Sequence, residues 1–372
     1  MKVAFLTSSR ADFGIYLPLL QAMGSDDFFD VRIIAFGTHL SSFHGHTIEA
    51  IIAEGFAIDY QVETVLASDT AASISSSMAL TGLKFAAVWE REKENYDLVF
   101  CLGDRYEMFA AVSAAAPFNM RFAHLHGGET TMGAIDNEFR HCLTIFSVIH
   151  FTATDDYAKR VAQIKGCNEN VYAVGSLSLD NLPRLHFLSA RDFEAKFSIN
   201  LLQPSILVTY HPETVSVANN RRNAENLVSA LDFFKEFQVI ITMPNADTMG
   251  NAMREVYLDF ATNRSNVFIV ESFGTEGYFS CMNLCSLVVG NSSSGIIEAA
   301  SFGKYVVNIG DRQKGRAVSE NVIHCQADNA SIIKACKDGL TKGRYTGTNI
   351  YFKENVAKNI IEILKNGSRK SL

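Results

Sequence analysis

Residues 284–301 read LCSLVVGNSSSGIIEAAS: an apolar run, a cluster of tiny polar residues, then a helical pattern carrying one acid. Strand, small-residue turn and helix in that order make a βα unit. A chain built of such units folds as parallel sheets covered by helices. The turn also suits an anion, because it exposes backbone N–H groups, the helix N-terminus adds positive potential, and serine hydroxyls add donors. Glu298 follows about one helical turn later, where a carboxylate reaches two ribose hydroxyls. The turn lacks the lysine of a Walker loop and the GxGxxG of a dinucleotide site. It therefore points to a nucleoside diphosphate held for something other than ATP hydrolysis or hydride transfer. A plain Ser/Gly turn with a helix N-cap has the same composition.

The same alternation runs along the whole chain. Strand-like runs fall at 2–8, 31–37, 98–104, 121–126, 148–153 and 170–175, then at 205–210, 237–243, 266–271, 286–290 and 304–309. Segments 69–94 and 219–236 have helical composition. The strand pattern lapses over 176–204, between Pro183 and Pro204, which predicts domains of 1–176 and 177–351. Segment 352–366 is an amphipathic helix expected to cross back onto the first domain. Two doubly wound α/β domains imply a cleft lined by the carboxyl ends of their strands.

At 372 residues the chain suits two domains, and with 48% hydrophobic residues it has material for a large core. A formal charge of −7 removes the electrostatic case for nucleic acid or an anionic membrane. MKVAFLTSS at the start has no basic n-region, and no apolar run has the length of a membrane span. Seven cysteines without a CxxC pair read as reduced core thiols, so a cytoplasmic protein is expected.

Unusual polar residues stand where the strands end. Strand 98–103 leads into Asp104-Arg105, and strand 121–125 into His124, His126 and Glu129. Asp136 and Arg140 follow, four apart and so on one face of a helix. The first strand runs into Thr7-Ser8-Ser9-Arg10-Ala11-Asp12. Strands 205–210 and 237–243 end in His211-Pro212-Glu213 and Pro244-Asn245. Each has an ordinary reading: a helix cap and surface pair for Asp104-Arg105, a solvated pair for Asp136 and Arg140, sheet-edge histidines for His124 and His126. A metal site is not expected, since a third ligand at zinc spacing is missing. The concurrence of acids, histidines and arginines at strand ends beside a phosphate-type turn is what the ordinary readings leave unexplained.

In these residues the chain resembles the hydrolysing UDP-N-acetylglucosamine 2-epimerases of the bacterial sialic-acid branch. The motifs run nearly end to end: TSSRADFG at 7–14, LGDRYE at 102–107, HLHGGETTMGAIDNEFRH at 124–141, VGSLSLDN at 174–181, TYHPET at 209–214, PNADT at 244–248, VGNSSSGIIE at 289–298, NIGDRQKGR at 308–316 and YFKEN at 351–355. The resemblance implies the GT-B architecture, two Rossmann-like domains with the nucleotide sugar in the cleft between them. It implies removal of the proton on sugar carbon 2 as UDP leaves carbon 1, then hydration of 2-acetamidoglucal to N-acetylmannosamine, with no cofactor.

By that resemblance Asp104, Glu129 and Asp136 form the acid/base set, and His211 sits by the leaving phosphate. Arg10, Ser292, Ser293 and the amides before Gly295 would bind the diphosphate, with Asp12, His126, Arg140 and Ser294 alongside, and Glu298 would take the ribose. Arg312 and Asn245 would lie near base and sugar, with Phe273 or Tyr278 the candidate to stack on uracil. Some members carry glutamate at the position of His126, which leaves open whether Glu129 or His126 does that glutamate's work. The expected partners are a UDP-sugar and UDP, in a homodimer or homotetramer. A GDP-linked 2,4-diacetamido-6-deoxy sugar of legionaminic acid synthesis is the alternative substrate, and a GT-B glycosyltransferase a remoter one.

Overall fold

A computed structural model describes residues 1–41, 46–66, 68, 70–132, 135–213, 217–243 and 250–368. Asn245, with the rest of the PNADT run, and Thr214 lie outside the described residues. The chain forms two compact units. The first is Met1–Glu129, Asp136–Arg184 and Tyr351–Leu372; the second is Thr130–Ile135 and Leu185–Ile350. The first unit extends to Arg184 rather than ending at 176 because the short helical segments after Ser176 are tied to it. Asn181 Nδ2 donates to the Gly14 carbonyl at 2.8 Å, and Arg184 Nη1 to Gln21 Oε1 at 2.9 Å. Within the second unit the excursion 130–135 is anchored by Met132 N–H on the Lys314 carbonyl, 3.1 Å.

In the first unit β1 (Lys2–Thr7), β2 (Asp30–Phe36), β3 (Ile58–Val62), β4 (Leu98–Leu102), β5 (Phe122–Leu125), β6 (Ile149–Thr152) and β7 (Val171–Ala173) form one parallel sheet in the order β3-β2-β1-β4-β5-β6-β7. The second unit holds β8 (Ser205–Thr209), β9 (Gln238–Thr242), β10 (Val267–Val270), β11 (Leu287–Gly290), β12 (Val306–Ile309) and β13 (Val322–Cys325) in the order β10-β9-β8-β11-β12-β13, again parallel. Inner strands covered on both faces read as continuous apolar runs, and β1 shows why. Val3 and Phe5 enter one core cluster, Ala4 and Leu6 the cluster on the opposite face. The edge strands β3 and β13 have half-exposed, partly polar sequences (IDYQV, VIHC), so the sequence reading overlooked both.

The C-terminal helix is Val356–Ser368 rather than 352–366, and it packs on the first unit through Val356, Ala357, Ile360, Ile361 and Leu364. Its first N–H groups have no partner within the helix. Asp180 supplies one: Oδ1 accepts from Val356 N–H at 3.1 Å and Oδ2 from Ala357 N–H at 2.7 Å. The helix Ala71–Glu92 meets the length and hydropathy of a membrane span, with mean hydropathy 1.2, although the sequence reading found no such run. It sends Phe85, Val88 and Trp89 into the core of the first unit. All seven cysteines are free thiols.

Strand order decides where chemistry sits. Each sheet reverses its winding direction at one point, β1/β4 and β8/β11, and in open α/β sheets ligands bind beyond the carboxyl ends of strands at that switch. The loops there carry Ser8–Asp12 and Asp104 in the first unit, His211 and Asn291–Ser294 in the second.

Candidate active site

In the first unit the central feature is a buried ionic cluster. Arg140, 3% exposed on the helix Asp136–Phe146, donates from Nη2 to Asp104 Oδ2 and from Nη1 to the His126 carbonyl at 2.7 Å. Its Nη1 lies 3.6 Å from Glu129 Oε2, and Glu129 Oε1 is 2.8 Å from His126 Nδ1. Glu129 is fully buried, whereas the Asp104 side chain is 22% exposed. Two carboxylates share one guanidinium and an adjacent imidazole. Burying such charges is costly unless each is paired, and here each is. The surface readings of Asp104-Arg105 and of Arg140 are thereby corrected: Arg140 is buried, and Asp104 is its ion partner. Arg105 is the N-cap of Tyr106–Ser113 without a capping side-chain bond, and pairs with buried Glu107 at 2.8 Å.

The backbone around this cluster is unusual. His126 has φ +61°, a left-handed conformation uncommon outside glycine, and strain of this kind collects at functional sites. Gly128, φ +79°, has no room for a Cβ, which would strike the Tyr157 carbonyl. His124 lies in β5, fully buried. Its Nε2 is 2.9 Å from the Gly103 carbonyl, which only accepts, so Nε2 carries the proton; Thr144 Oγ1 is 3.2 Å from Nδ1. Burial pushes the His124 pKa down to about 3, so it braces the peptide before Asp104 as a neutral ring.

Arg10 is exposed at the start of the helix Arg10–Gly24, with Ser9 as N-cap. Asp12 is 4% exposed and its carboxylate folds the loop, accepting Ser8 N–H at 2.9 Å and Ser8 Oγ–H at 2.6 Å. His39 steadies the same loop from 2.8 Å off Thr7 Oγ1 and 2.9 Å off Thr47 Oγ1; burial lowers its pKa to about 4. Asp136 begins its helix half-exposed. Among the described residues no group of three or more His, Cys, Asp or Glu side chains is placed to hold a metal ion.

In the second unit the loops after β8, β11 and β12 are held by side-chain amides and one carboxylate. Asn291, buried, clamps the His211 backbone both ways: Oδ1 accepts from His211 N–H at 2.7 Å and Nδ2 donates to its carbonyl at 2.9 Å. Gly290, φ +141°, lets β11 run against β8, for a Cβ there would meet the Thr209 carbonyl. Glu213 Oε1 accepts from Asp311 N–H at 2.9 Å, and Arg312 Nη1 donates to the Pro212 carbonyl, so the loop carrying Arg312 is fixed beside His211.

The serine turn forms a five-residue helix, Ser293–Ile297, capped by Ser292. So short a helix adds little dipole, which leaves the hydroxyls and N–H groups as its means of holding an anion. Ser293 is exposed, Ser292 and Ser294 half-buried, and their Oγ atoms lie 2.9 Å apart. Gly295 lets the helix approach Val306, and Glu298, 6% exposed, ends it. Tyr278 OH is 2.7 Å from Ser294 Oγ. Phe273 is 6% exposed, its ring packed on Phe193 and Phe197 with centroids 5.2 and 4.8 Å away, so it fills core instead of standing free for a base.

His124, Thr144, His39 and Asn291 were missed as supports. His124 stood in the motif, but its partners are remote in sequence, and Asn291 matters only because β11 lies beside β8.

The chain resembles known proteins along nearly its whole length. The sequence model described as UDP-N-acetylglucosamine 2-epimerase matches residues 21–365. A GDP/UDP-N,N'-diacetylbacillosamine 2-epimerase (hydrolyzing) from Campylobacter jejuni is 33% identical over 88% of this chain and 85% of its own. Polysialic acid biosynthesis protein P7 of Escherichia coli is 31% identical over 98% and 93%, and a UDP-N,N'-diacetylbacillosamine 2-epimerase (hydrolyzing) of Legionella pneumophila 31% over 98% and 95%. The structure of UDP-GlcNAc 2-epimerase from Neisseria meningitidis bound to UDP-GlcNAc aligns with TM-score 0.81 at 18% identity, over 98% of this chain and 100% of that one, which shows a shared GT-B fold of two Rossmann-like sheets. With a family match along almost its whole length and relatives above 30% identity over 88–98% of it, the chain belongs to the UDP-N-acetylglucosamine 2-epimerase family.

Proposed function

We propose that the chain is a hydrolysing 2-epimerase acting on a UDP- or GDP-linked N,N'-diacetylbacillosamine, releasing the nucleoside diphosphate and the free sugar inverted at carbon 2. The observation that carries the chemistry is the buried Asp104–Arg140–Glu129–His126 cluster beside the β1/β4 switch point. Two relatives above 30% identity whose names state an activity are diacetylbacillosamine 2-epimerases, and this favours the diacetamido sugar over UDP-N-acetylglucosamine. The relative named for polysialic acid biosynthesis keeps UDP-N-acetylglucosamine, with N-acetylmannosamine as product, as the second reading.

The reaction is redox-neutral. A base takes the carbon 2 proton, the carbon 1–oxygen bond breaks, and the nucleoside diphosphate leaves with that electron pair. Water then adds at carbon 1 while a proton returns to the opposite face of carbon 2. Asp104 is the carboxylate of the cluster that reaches solvent, so it is assigned to one face. Glu129 is fully buried and acts through His126, orienting Nδ1 and leaving Nε2 for the other face. That assignment gives the acid/base role to His126 with Glu129 as its support; Asp136 stays a candidate third group. In the second unit His211, held by Asn291, is assigned to the diphosphate with Ser292 and Ser293, and Glu298 to the ribose; in the first unit Arg10 is the candidate phosphate ligand. A cytoplasmic location and a homo-oligomeric state complete the reading.

The experiment is a substrate panel in deuterated water: UDP- and GDP-diacetylbacillosamine against UDP-N-acetylglucosamine, following nucleotide release and deuterium at carbon 2. Release from a diacetamido sugar with label at carbon 2 is expected. A kcat/KM at least tenfold higher for UDP-N-acetylglucosamine would replace the substrate assignment, and product without label would sink proton abstraction.

A further inference from the structure

The phenol of Tyr278 does not end in solvent. Five hydroxyls form a chain through the second unit. Ser292 Oγ to Ser294 Oγ is 2.9 Å and Ser294 Oγ to Tyr278 OH 2.7 Å; Tyr278 OH to Thr209 Oγ1 is 3.2 Å and Thr209 Oγ1 to Thr242 Oγ1 2.8 Å. Thr242 Oγ1 lies 3.2 Å from the Val208 carbonyl. Each hydroxyl has one proton to give. If Thr242 gives its proton to Val208, every other proton is drawn inward and Ser292 has none for a ligand. Tyr278 is the branch point. Turned toward Ser294, its proton leaves the Ser294 proton for Ser292 and the Ser292 proton for an acceptor in front of the turn. The link then given up is the 3.2 Å contact with Thr209, one of the two longest in the chain.

We infer that Tyr278 is a positioning residue for the diphosphate, orienting the Ser294 and Ser292 hydroxyls toward a phosphate oxygen, and not a platform for the base. The inference rests on the proposed reading of the serine turn as the diphosphate site. Burial pushes the Tyr278 pKa up to about 12, so the phenol keeps the proton this role needs. A chain of hydroxyls polarised in one direction strengthens its terminal donor, which is the one that meets the anion.

A stacking role and a positioning role predict opposite results for one substitution, because Tyr278→Phe keeps the ring and removes only the hydroxyl. UDP, GDP, inorganic pyrophosphate and the bare nucleosides are titrated by calorimetry against wild type, Tyr278→Phe and Thr209→Val, with KM and kcat measured alongside. Tyr278→Phe should weaken both nucleotides and pyrophosphate by about three- to tenfold, the range expected for one neutral hydrogen bond, and leave the nucleosides unchanged. KM should rise while kcat stays within about twofold. Thr209→Val, nearly isosteric, leaves Ser294 as the side-chain partner of the Tyr278 proton among the described residues, so diphosphate affinity should hold or rise.

Equal binding by wild type and Tyr278→Phe overturns the inference while leaving the serine turn as the site. A loss of diphosphate affinity in Thr209→Val also overturns it, and that arm stands even if Tyr278→Phe does not fold. A wild-type protein that binds neither diphosphate nor pyrophosphate overturns this inference and the functional reading together.

Discussion

Three fully buried histidines in the first unit make its stability depend on pH in a way that can be worked out. His39, His124 and His150 are fully buried, and burial lowers their pKa values to about 4, about 3 and about 3. His124, its ring centroid 6.4 Å away, also opposes charge on His150. In the unfolded chain each titrates near the ordinary value of about 6.5. A histidine depressed in the folded state stabilises fully above the unfolded pKa and loses that contribution as pH falls toward the folded value. At pH 5 the unfolded chain gains about one proton per histidine that the folded chain refuses, worth about 2 kcal/mol each. The three together cost about 6 kcal/mol, against a total stability of order 5–15 kcal/mol. Most carboxylates remain charged between pH 6.5 and 5, so they contribute little in this window. Trp89 is the chain's only tryptophan, fully buried in the same unit, with Nε1 donating to the Ala111 carbonyl at 2.8 Å. Its fluorescence therefore reports unfolding of that unit. Urea melts followed at Trp89 should show stability falling by about 4 kcal/mol per pH unit near pH 5, and His39→Gln should remove about a third of that slope. A urea midpoint that stays constant from pH 7 to pH 5 would refute the reasoning.

Asp104→Asn should lower kcat by about 10²–10⁴-fold, with nucleoside diphosphate affinity within about threefold of wild type by calorimetry, because the residue is proposed to transfer a proton and not to bind phosphate. Glu129→Gln should lower kcat and also shift the acid limb of the pH–rate profile, since the carboxylate is assigned to act through His126; an unshifted profile would argue for a direct role. Asp180→Ala removes the cap of the helix Val356–Ser368 and should cost the first unit about 1–2 kcal/mol in the same Trp89 urea melts, with no change in the urea dependence of the transition.

Much of the fold was legible because most of the parallel strands are apolar and their connecting helices are not; eleven strand segments, nine inner and two at sheet edges, carry that contrast in their own residues. β3 and β13, each at one edge of its sheet, escaped because their polar residues (IDYQV, VIHC) erase the signal, whereas the other edge strands β7 and β10 stay apolar (VYA, VFIV). The acids and histidines of the site were legible as strand-end residues. Their partnerships were not, because these depend on strand order. Arg140 meets Asp104 across 36 residues, and Asn291 clamps His211 across 80. Nothing local marks either pair, and the spacing of Asp136 and Arg140 suggested a surface partnership that the burial of Arg140 removes.

The aromatic candidates share a feature that bears on how the proposed site would work. Phe273 and Tyr278 looked like base platforms because aromatic rings near a nucleotide turn commonly stack. The Phe273 ring packs between Phe193 and Phe197, and the Tyr278 phenol is bonded to Ser294, which we read as a positioning role. Asp12, another expected ligand, commits its carboxylate to Ser8. On each unit the groups proposed to meet a substrate stand on loops whose own hydrogen bonds are already made: His211 by its clamped backbone, Asp104 by Arg140, Ser292 by the hydroxyl chain. A loop fixed before the ligand arrives loses less conformational freedom on binding, and donors already aimed where charge develops need no reorganisation as the bond to the nucleoside diphosphate breaks. Substitutions in these supports should therefore fall on KM and kcat through geometry, whereas substitutions at Asp104 and His126, the residues proposed to transfer the protons, should fall mainly on kcat.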